Sequence, residues 1–198
     1  MKITSLILAV SGLLLSSQVW ASQTYTVDKS HSNLNFEVSH LIISTVRGRF
    51  DDYSGMIKLD KNDNIVEITG EALVSTINTN NAKRDKHLRS ADFFDVENHP
   101  KLSFTAKNIK VKKGSKATVK GELSIRGRKK VVDVELNYKG KVTGPWGTPK
   151  MAVDATTTVN RKEFGLKWNQ ALESGGVMVG EDVKLIINIQ ANQKVAKK

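Results

Sequence analysis

The chain has 198 residues, with 31 Lys and Arg against 20 Asp and Glu, a formal net charge of +11 and 39% hydrophobic residues. That length and apolar content suit one domain with a sizeable core. Cysteine is absent, which excludes disulfides, zinc-thiolate centres and thiol nucleophiles.

The chain opens on Met1-Lys2 and a mostly apolar run over 3–15, too short for a comfortable membrane span. Val19-Trp20-Ala21 then offers the residues a signal peptidase reads. We therefore expect a cleavable leader over 1–21, cut after Ala21, and one domain over 22–198. The leader and the lack of cysteine together fit a bacterial periplasm. No later segment is apolar for long enough to cross a bilayer as a helix, so no stable membrane insertion is expected. Export also argues against nucleic acid as the partner of the basic surface. The lysines around 112–116 read instead as a solvated hairpin turn with charged edges.

From residue 25 onward the dominant signal is an alternation of apolar and polar residues with a period of two, the mark of strands with one dry face. A short strand is expected at 25–27 and a long one at 33–40. The next is expected over 48–59, interrupted by a bulge near Asp51-Asp52 or Gly55. Lys61-Asn62-Asp63-Asn64 predicts a turn, with a strand following over 65–74. The rhythm stops between 78 and 98. Residues 80–89 read as a short helix with an Asn cap, and 90–94 as the start of a further helical turn. Strands resume at 101–111, 117–125, 130–138, 151–160 and 183–190, with an irregular stretch over 161–180.

About eight antiparallel strands of this length close into a barrel. The polar face carries Glu37, Glu67, Glu71, Lys107, Lys120, Glu122, Asp133 and Glu135. That much mixed charge suits an aqueous exterior better than a narrow lumen, so the apolar face is expected inside. The fold class expected is all-β: an antiparallel barrel of about eight strands with a short helical insertion around 80–96.

Five segments carry a family resemblance. They are Tyr25-Thr26-Val27-Asp28-Lys29-Ser30-His31-Ser32, with Phe36, Val38 and His40 after it; Val46-Arg47-Gly48-Arg49-Phe50-Asp51-Asp52-Tyr53-Ser54-Gly55; and Arg84-Asp85-Lys86-His87-Leu88-Arg89-Ser90-Ala91-Asp92-Phe93-Phe94-Asp95-Val96, with Pro100 and Phe104 beyond. Gly121-Glu122-Leu123-Ser124-Ile125-Arg126-Gly127 is the fourth. The last is Asn160-Arg161-Lys162-Glu163-Phe164-Gly165-Leu166-Lys167-Trp168-Asn169, closing with Gly175-Gly176-Val177-Met178-Val179-Gly180. In order and spacing the chain resembles the YceI family. The resemblance implies a lipocalin-like barrel that binds a polyisoprenoid or similar long-chain amphiphile in its bore. It implies no enzymatic reaction, no catalytic residues and no cofactor.

The alternation supplies a candidate apolar lining: Phe36, Val38, Phe104, Leu123, Val134, Leu136, Val153, Leu185 and Ile187, with Phe164 and Trp168 placed to line or plug an opening. A fully packed core satisfies the same alternation; the resemblance selects the tunnel. Candidates for a polar head or mouth are His40, which shares the inward parity of Phe36 and Val38, and Arg47 and Arg161 near strand ends. The four histidines show no metal-ligand spacing, so no metal site is expected. The leading expectation is a periplasmic carrier that sequesters an isoprenoid-type lipid. An enzyme acting on such a bound lipid and a basic module for anionic surfaces are the alternatives. A homodimer stays open.

Overall fold

A computed structural model describes residues 23–145, 147–173 and 175–194. The expected leader over 1–21, Trp146 and all but the first residue of the basic tail at 194–198 lie outside the described residues.

Eleven strand segments form one sheet: β1 (Gln23–Val27), β2 (Asn33–His40), β3 (Ser44–Phe50), β4 (Tyr53–Leu59), β5 (Ile65–Leu73), β6 (Ile77–Asn78), β7 (Lys101–Val111), β8 (Ser115–Ile125), β9 (Arg128–Thr143), β10 (Pro149–Asn160) and β11 (Val179–Gln193). One helix, α1 (Ala82–Arg89), lies between β6 and β7. The sheet closes because β11 pairs with both β1 and β2. β1 and β2 are two halves of one bent strand. β4 runs beside β1 and β3 beside β2, while β5 pairs with β4 and β6 with β3. Read this way, the molecule is a closed antiparallel barrel of eight strands, three of them bent.

The bends share one level of the barrel. The first strand turns through a short 3-10 turn at Lys29–His31, and the third through another at Val74–Thr76. The second turns at Asp51-Asp52, where Asp51 N donates to Thr76 O at 3.2 Å and Asp52 N to Thr76 Oγ1 at 3.0 Å. Lys29 reaches across to Asp52. The single strand expected over 48–59 is therefore two. Asp51 and Asp52 form a corner rather than a bulge, because their amides bond to Thr76 and β3 and β4 take different partners.

Other boundaries follow local chemistry. Asn81 caps α1 by accepting from Arg84 N at 3.1 Å. The further helical turn expected at 90–94 is a run of hydrogen-bonded turns, since Ser90 already caps the helix with an extended backbone. The lysine-rich turn closes at Gly114, with φ at 71°. Arg126 and Gly127 both take positive φ, the two-residue geometry that matches strand twist in a hairpin, so β8 and β9 run up to that turn.

The charged face is outside, as expected. Lys58 pairs with Glu67 and Lys120 with Asp133 directly across their strands. Inside, one end is packed solid by Tyr25, Leu59, Ile65, Val111, Tyr138 and Met151. The other end carries α1, the turns of 90–100, the segment 161–178 and the β2–β3 turn at 41–43. We call these the closed end and the lid end.

Candidate functional site

Between the closed end and the lid runs an apolar bore with two lobes, about 140 Å³ below and about 110 Å³ above. Leu34, Leu102, Leu123 and Leu185 line both, so the lobes adjoin across these four side chains. The lower lobe also takes Phe104, Val134, Leu136, Val153 and Ile187, and the upper takes Phe36, Val38 and Phe164. Every candidate apolar lining residue except Trp168 therefore meets in one space. The lobes are small against ligand pockets of roughly 300–1,000 Å³, so a ligand of that size fits only if the bore widens.

Two aromatic rings lie flat on the wall because glycines make room for them. A Cβ on Gly48 stands 2.3 Å from Phe36 Cζ, and one on Gly121 stands 2.2 Å from Phe104 Cζ. Phe36 and Gly48 are register partners, and Gly121 lies two residues along β8 from Leu123, the partner of Phe104. These two glycines thus do not leave voids. They receive rings that otherwise project across the bore.

Burial pushes the Tyr138 phenol at the closed end up to about 12, with the nearby Asp63 and Tyr25 adding to it. The lid is built of segments distant in sequence. His87 of α1 meets Phe93 edge-on at 5.0 Å and Trp168 at 4.9 Å, and Phe93 lies 5.3 Å from Trp168. Trp168 therefore belongs to the lid rather than the lining. Arg126 braces the same parts, donating to Gly165 O at 2.9 Å and Ala91 O at 2.8 Å.

The three polar candidates separate. Arg161 follows β10, where Asn160 caps a 3-10 turn by accepting from Lys162 N. Its side chain borders the upper lobe, and the residue is 5% exposed. The guanidinium donates to Gly180 O at 2.8 Å, Leu166 O at 2.5 Å, Trp168 O at 2.9 Å and Val179 O at 3.3 Å. It clamps both ends of the 161–180 segment. Desolvation lowers its pKa, opposed by Glu181, yet arginine stays charged at any ordinary pH. Arg161 is the one charged residue among the described lining of the upper lobe. His40 is half-buried at the rim, beyond the residues that line either lobe. Arg47 stands on the outer face, its side chain 73% exposed, donating to Glu37 Oε1 at 2.8 Å. It does not join the bore.

Sequence reasoning passed over Leu34 and Leu102, which share the parity of Phe36 and Phe104 and lie two residues before them. Extending the period of two by one step finds both. Leu88, Phe94 and Leu166 of the lid also reach the upper lobe; no periodicity marks them, because they sit in turns and a short helix.

The sequence profile of the YceI-like domain matches residues 25–191. A UPF0312 protein of Staphylococcus aureus (strain USA300) is 39% identical over 162 residues, covering 81% of this chain and 92% of its own. The crystal structure of a Campylobacter jejuni YCEI protein superposes with a TM-score of 0.66 at 27% identity, over 79% of this chain and 90% of that one. A polyisoprenoid binding domain from Saccharophagus degradans shares the fold, with a TM-score of 0.66 at 18% identity over 86% of this chain and 98% of that one. The profile match spans the whole barrel, from the first strand to the last, and the chain belongs to the YceI-like family.

Proposed function

We propose that this protein binds and carries a long-chain amphiphilic lipid of the polyisoprenoid class, with the tail held in the bore. The observation that carries this reading is the two-lobed bore, its upper lobe lined by Leu, Val, Ile and Phe with Arg161 and its lower lobe mostly by apolar side chains, closed by a lid. Such a tail is insoluble, and each buried CH₂ contributes roughly 0.8 kcal/mol before ordering costs. Charged and polar groups that border the bore are engaged by the protein: Thr157 Oγ1 donates to Asp133 O at 2.7 Å, Glu71 pairs with Lys101, and Arg161 donates to four carbonyls. A hydrocarbon leaves these groups with their partners. The Saccharophagus degradans domain of the same fold is described as polyisoprenoid binding, which supports this class of cargo. The reading is of a binding protein rather than an enzyme, acting in the periplasm after cleavage at Ala21.

The test is mass spectrometry of an organic extract from protein purified out of its native host. A bound prenol, prenyl phosphate or prenylquinone is expected. Protein that yields no lipid and takes up no labelled polyprenol refutes the reading. In the same preparation, Ser22 is the expected N-terminal residue of periplasmic protein.

A further inference from the structure

The positive charge of this chain is concentrated at the closed end. The β4–β5 turn, the β7–β8 turn and the β9–β10 connection all lie there, and so do Gln23 and Lys194, whose N donates to Thr24 O at 2.8 Å. The β7–β8 hairpin contributes Lys110, Lys112, Lys113 and Lys116, and between Glu97 and Glu122 the sequence holds no carboxylate. Lys61, Lys141, Lys150 and Lys194 come from the other segments of this end. The carboxylates on the same turns are Asp60 and Asp63.

Contacts join these segments into one face. Gly114 N donates to Tyr138 O at 2.8 Å, and the Lys113 stem lies over Gly140, its Cε 2.9 Å from where a Cβ stands. Lys141 Nζ donates to Asp63 Oδ1 at 2.6 Å and to Gln23 Oε1 at 3.2 Å. Lys150 Nζ donates to Asn192 Oδ1 at 2.7 Å.

The carboxylates do not cancel this charge. Asp60 accepts from Asn62 N at 2.8 Å, Asn64 N at 2.9 Å and Asn64 Nδ2 at 2.8 Å, with Lys110 acting on it from nearby. Asp63 is held by Lys141 and Gln23. On the adjoining wall Glu67 pairs with Lys58 and Lys107, Asp154 pairs with Lys139, and Asp28 lies 3.8 Å from Lys150. Glu135, between Thr118 and Thr156, is the carboxylate of that wall with no ion pair among the described residues. Lys112, Lys113, Lys116 and Lys194 are exposed and pair with no carboxylate among the described residues. A surplus of positive charge is left after every pairing.

Three features say what this face meets. Its cations are all lysine, while the seven arginines of the chain lie elsewhere. Lysine is a hydrated point charge on a flexible stem and lacks the planar fork that reads one defined phosphate. The lysines also surround a plug packed solid by Tyr25, Leu59, Tyr138 and Met151, a broad end rather than a groove. Finally, Val142 stands 67% exposed beside Lys141 and its register partner Lys150. Diffuse positive charge on a broad end, with an apolar tip, matches the headgroup layer of an anionic bilayer.

We propose that the closed end docks on an anionic phospholipid surface and turns the lid end away from it. The lid then opens toward the aqueous side and not toward the membrane that holds the barrel. This docking does not depend on the carrier reading.

The experiment is flotation at low salt with vesicles of equimolar phosphatidylglycerol and phosphatidylcholine, or of phosphatidylcholine alone. Every protein is expressed as the full chain and matched by mass at its N terminus. The wild type is expected to float with the anionic vesicles only, and less so as salt rises. Lys112→Gln with Lys116→Gln and Lys194→Gln is expected to lower partitioning about a hundredfold. Lys83→Gln with Lys86→Gln and Lys129→Gln removes the same charge at the lid end and is expected to stay within about threefold of the wild type. Circular dichroism checks that both variants are folded. The chain has no cysteine, so a dye goes on Asn62→Cys or Ala91→Cys in otherwise wild-type protein. On anionic vesicles the dye at 62 is expected to be shielded from acrylamide and the dye at 91 to stay quenchable. A wild type that ignores anionic vesicles, equal losses in the two triple variants, or shielding at 91 instead of 62 overturns the proposal. So does a wild type that binds heparin beads but no vesicles, which makes the face a site for soluble polyanions.

Discussion

Gly121→Ala tests whether the bore depends on Phe104 lying against the wall. The new Cβ stands 2.2 Å from Phe104 Cζ and 2.4 Å from Cε2. Carbon atoms rest about 3.5–4.0 Å apart, so the ring must retreat by roughly 1.5 Å. The third neighbour, Thr105 O at 3.1 Å, is backbone and yields little. The ring can move only inward, into a lobe of about 140 Å³. A methyl and a shifted ring edge together claim roughly the space of one water, about 30 Å³. One or two CH₂ groups of cargo lose their place at about 0.8 kcal/mol each, so affinity falls roughly tenfold. Overpacking also destabilises the fold by about 1–3 kcal/mol. The assay is titration with labelled polyprenol, with urea unfolding of the same proteins. Phe104→Leu in the Gly121→Ala background vacates the contested space, and the double-mutant cycle should show at least about 1 kcal/mol of coupling in binding. Equal affinities for Gly121→Ala and wild type, or purely additive effects in the cycle, refute the argument that the glycine keeps the bore open.

Leu123→Arg places a charge where the two lobes meet and should abolish polyprenol uptake, while Glu122→Gln next to it on the outer face should bind as the wild type does; equal loss in both indicates damage to the fold rather than the bore. Arg161→Met leaves carbonyls of Leu166, Trp168, Val179 and Gly180 without their donor, and should destabilise the protein by about 3 kcal/mol. Hydrogen exchange should speed up over 165–181 and not in the closed end. Asp28 is held well below the usual carboxylate range, chiefly by the Ser30 hydroxyl, with His31, the Ser30 amide and Asn192 adding and desolvation opposing. Its stabilisation is therefore present above the unfolded value of about 3.9 and is lost as pH falls through the lower folded value. Asp28→Asn should be less stable than wild type at neutral pH, and the gap in unfolding midpoint should close below about pH 4; a gap that stays constant into acid contradicts the assignment.

The straight parts of the barrel were legible because period two is a local property. The strand expected over 33–40 is β2 to the residue, the turn at 61–64 and the cap on α1 follow from Asn and Asp chemistry within a few residues, and the turn expected at 112–116 is shorter, since β8 already begins at Ser115. The corners were not legible. The one at Asp51-Asp52 exists because Thr76, far along the chain, bonds both amides. The arginines show the same limit. Arg47 and Arg161 both sit near strand ends, yet one faces water beside Glu37 and the other is buried among carbonyls. For Arg47 the local alternation was available: it stands across from Glu37 in the register, on the face already read as wet. For Arg161 local pattern did not suffice, since two of its acceptors sit in an irregular loop, at Leu166 and Trp168, and two, Val179 and Gly180, are placed only when β11 joins the sheet. The lid was illegible for the same reason, because His87 and Trp168 come from segments far apart in sequence.

Energetics decide which end of the bore opens more readily. The closed end is plugged by Tyr25, Leu59, Ile65, Val111, Tyr138 and Met151, all essentially inaccessible. Exposing each costs about 1.5–3 kcal/mol, and most sit on strands paired on both sides, so opening there unmakes the barrel itself. The lid rests on three ring contacts worth about 0.5–1.5 kcal/mol each, on the bonds from Arg126 to two carbonyls, on the Arg161 clamp and on buried Phe93 and Leu166. Swinging it aside breaks no pairing between barrel strands. On the carrier reading, a tail entering there would offset the broken contacts at roughly 0.8 kcal/mol per buried methylene, so a long tail is needed to hold the lid open. The bent strands at 28–32, 51–52 and 74–76 lie at a level between plug and lid, where the hydrogen-bonded corner fixes the wall while the parts above it move.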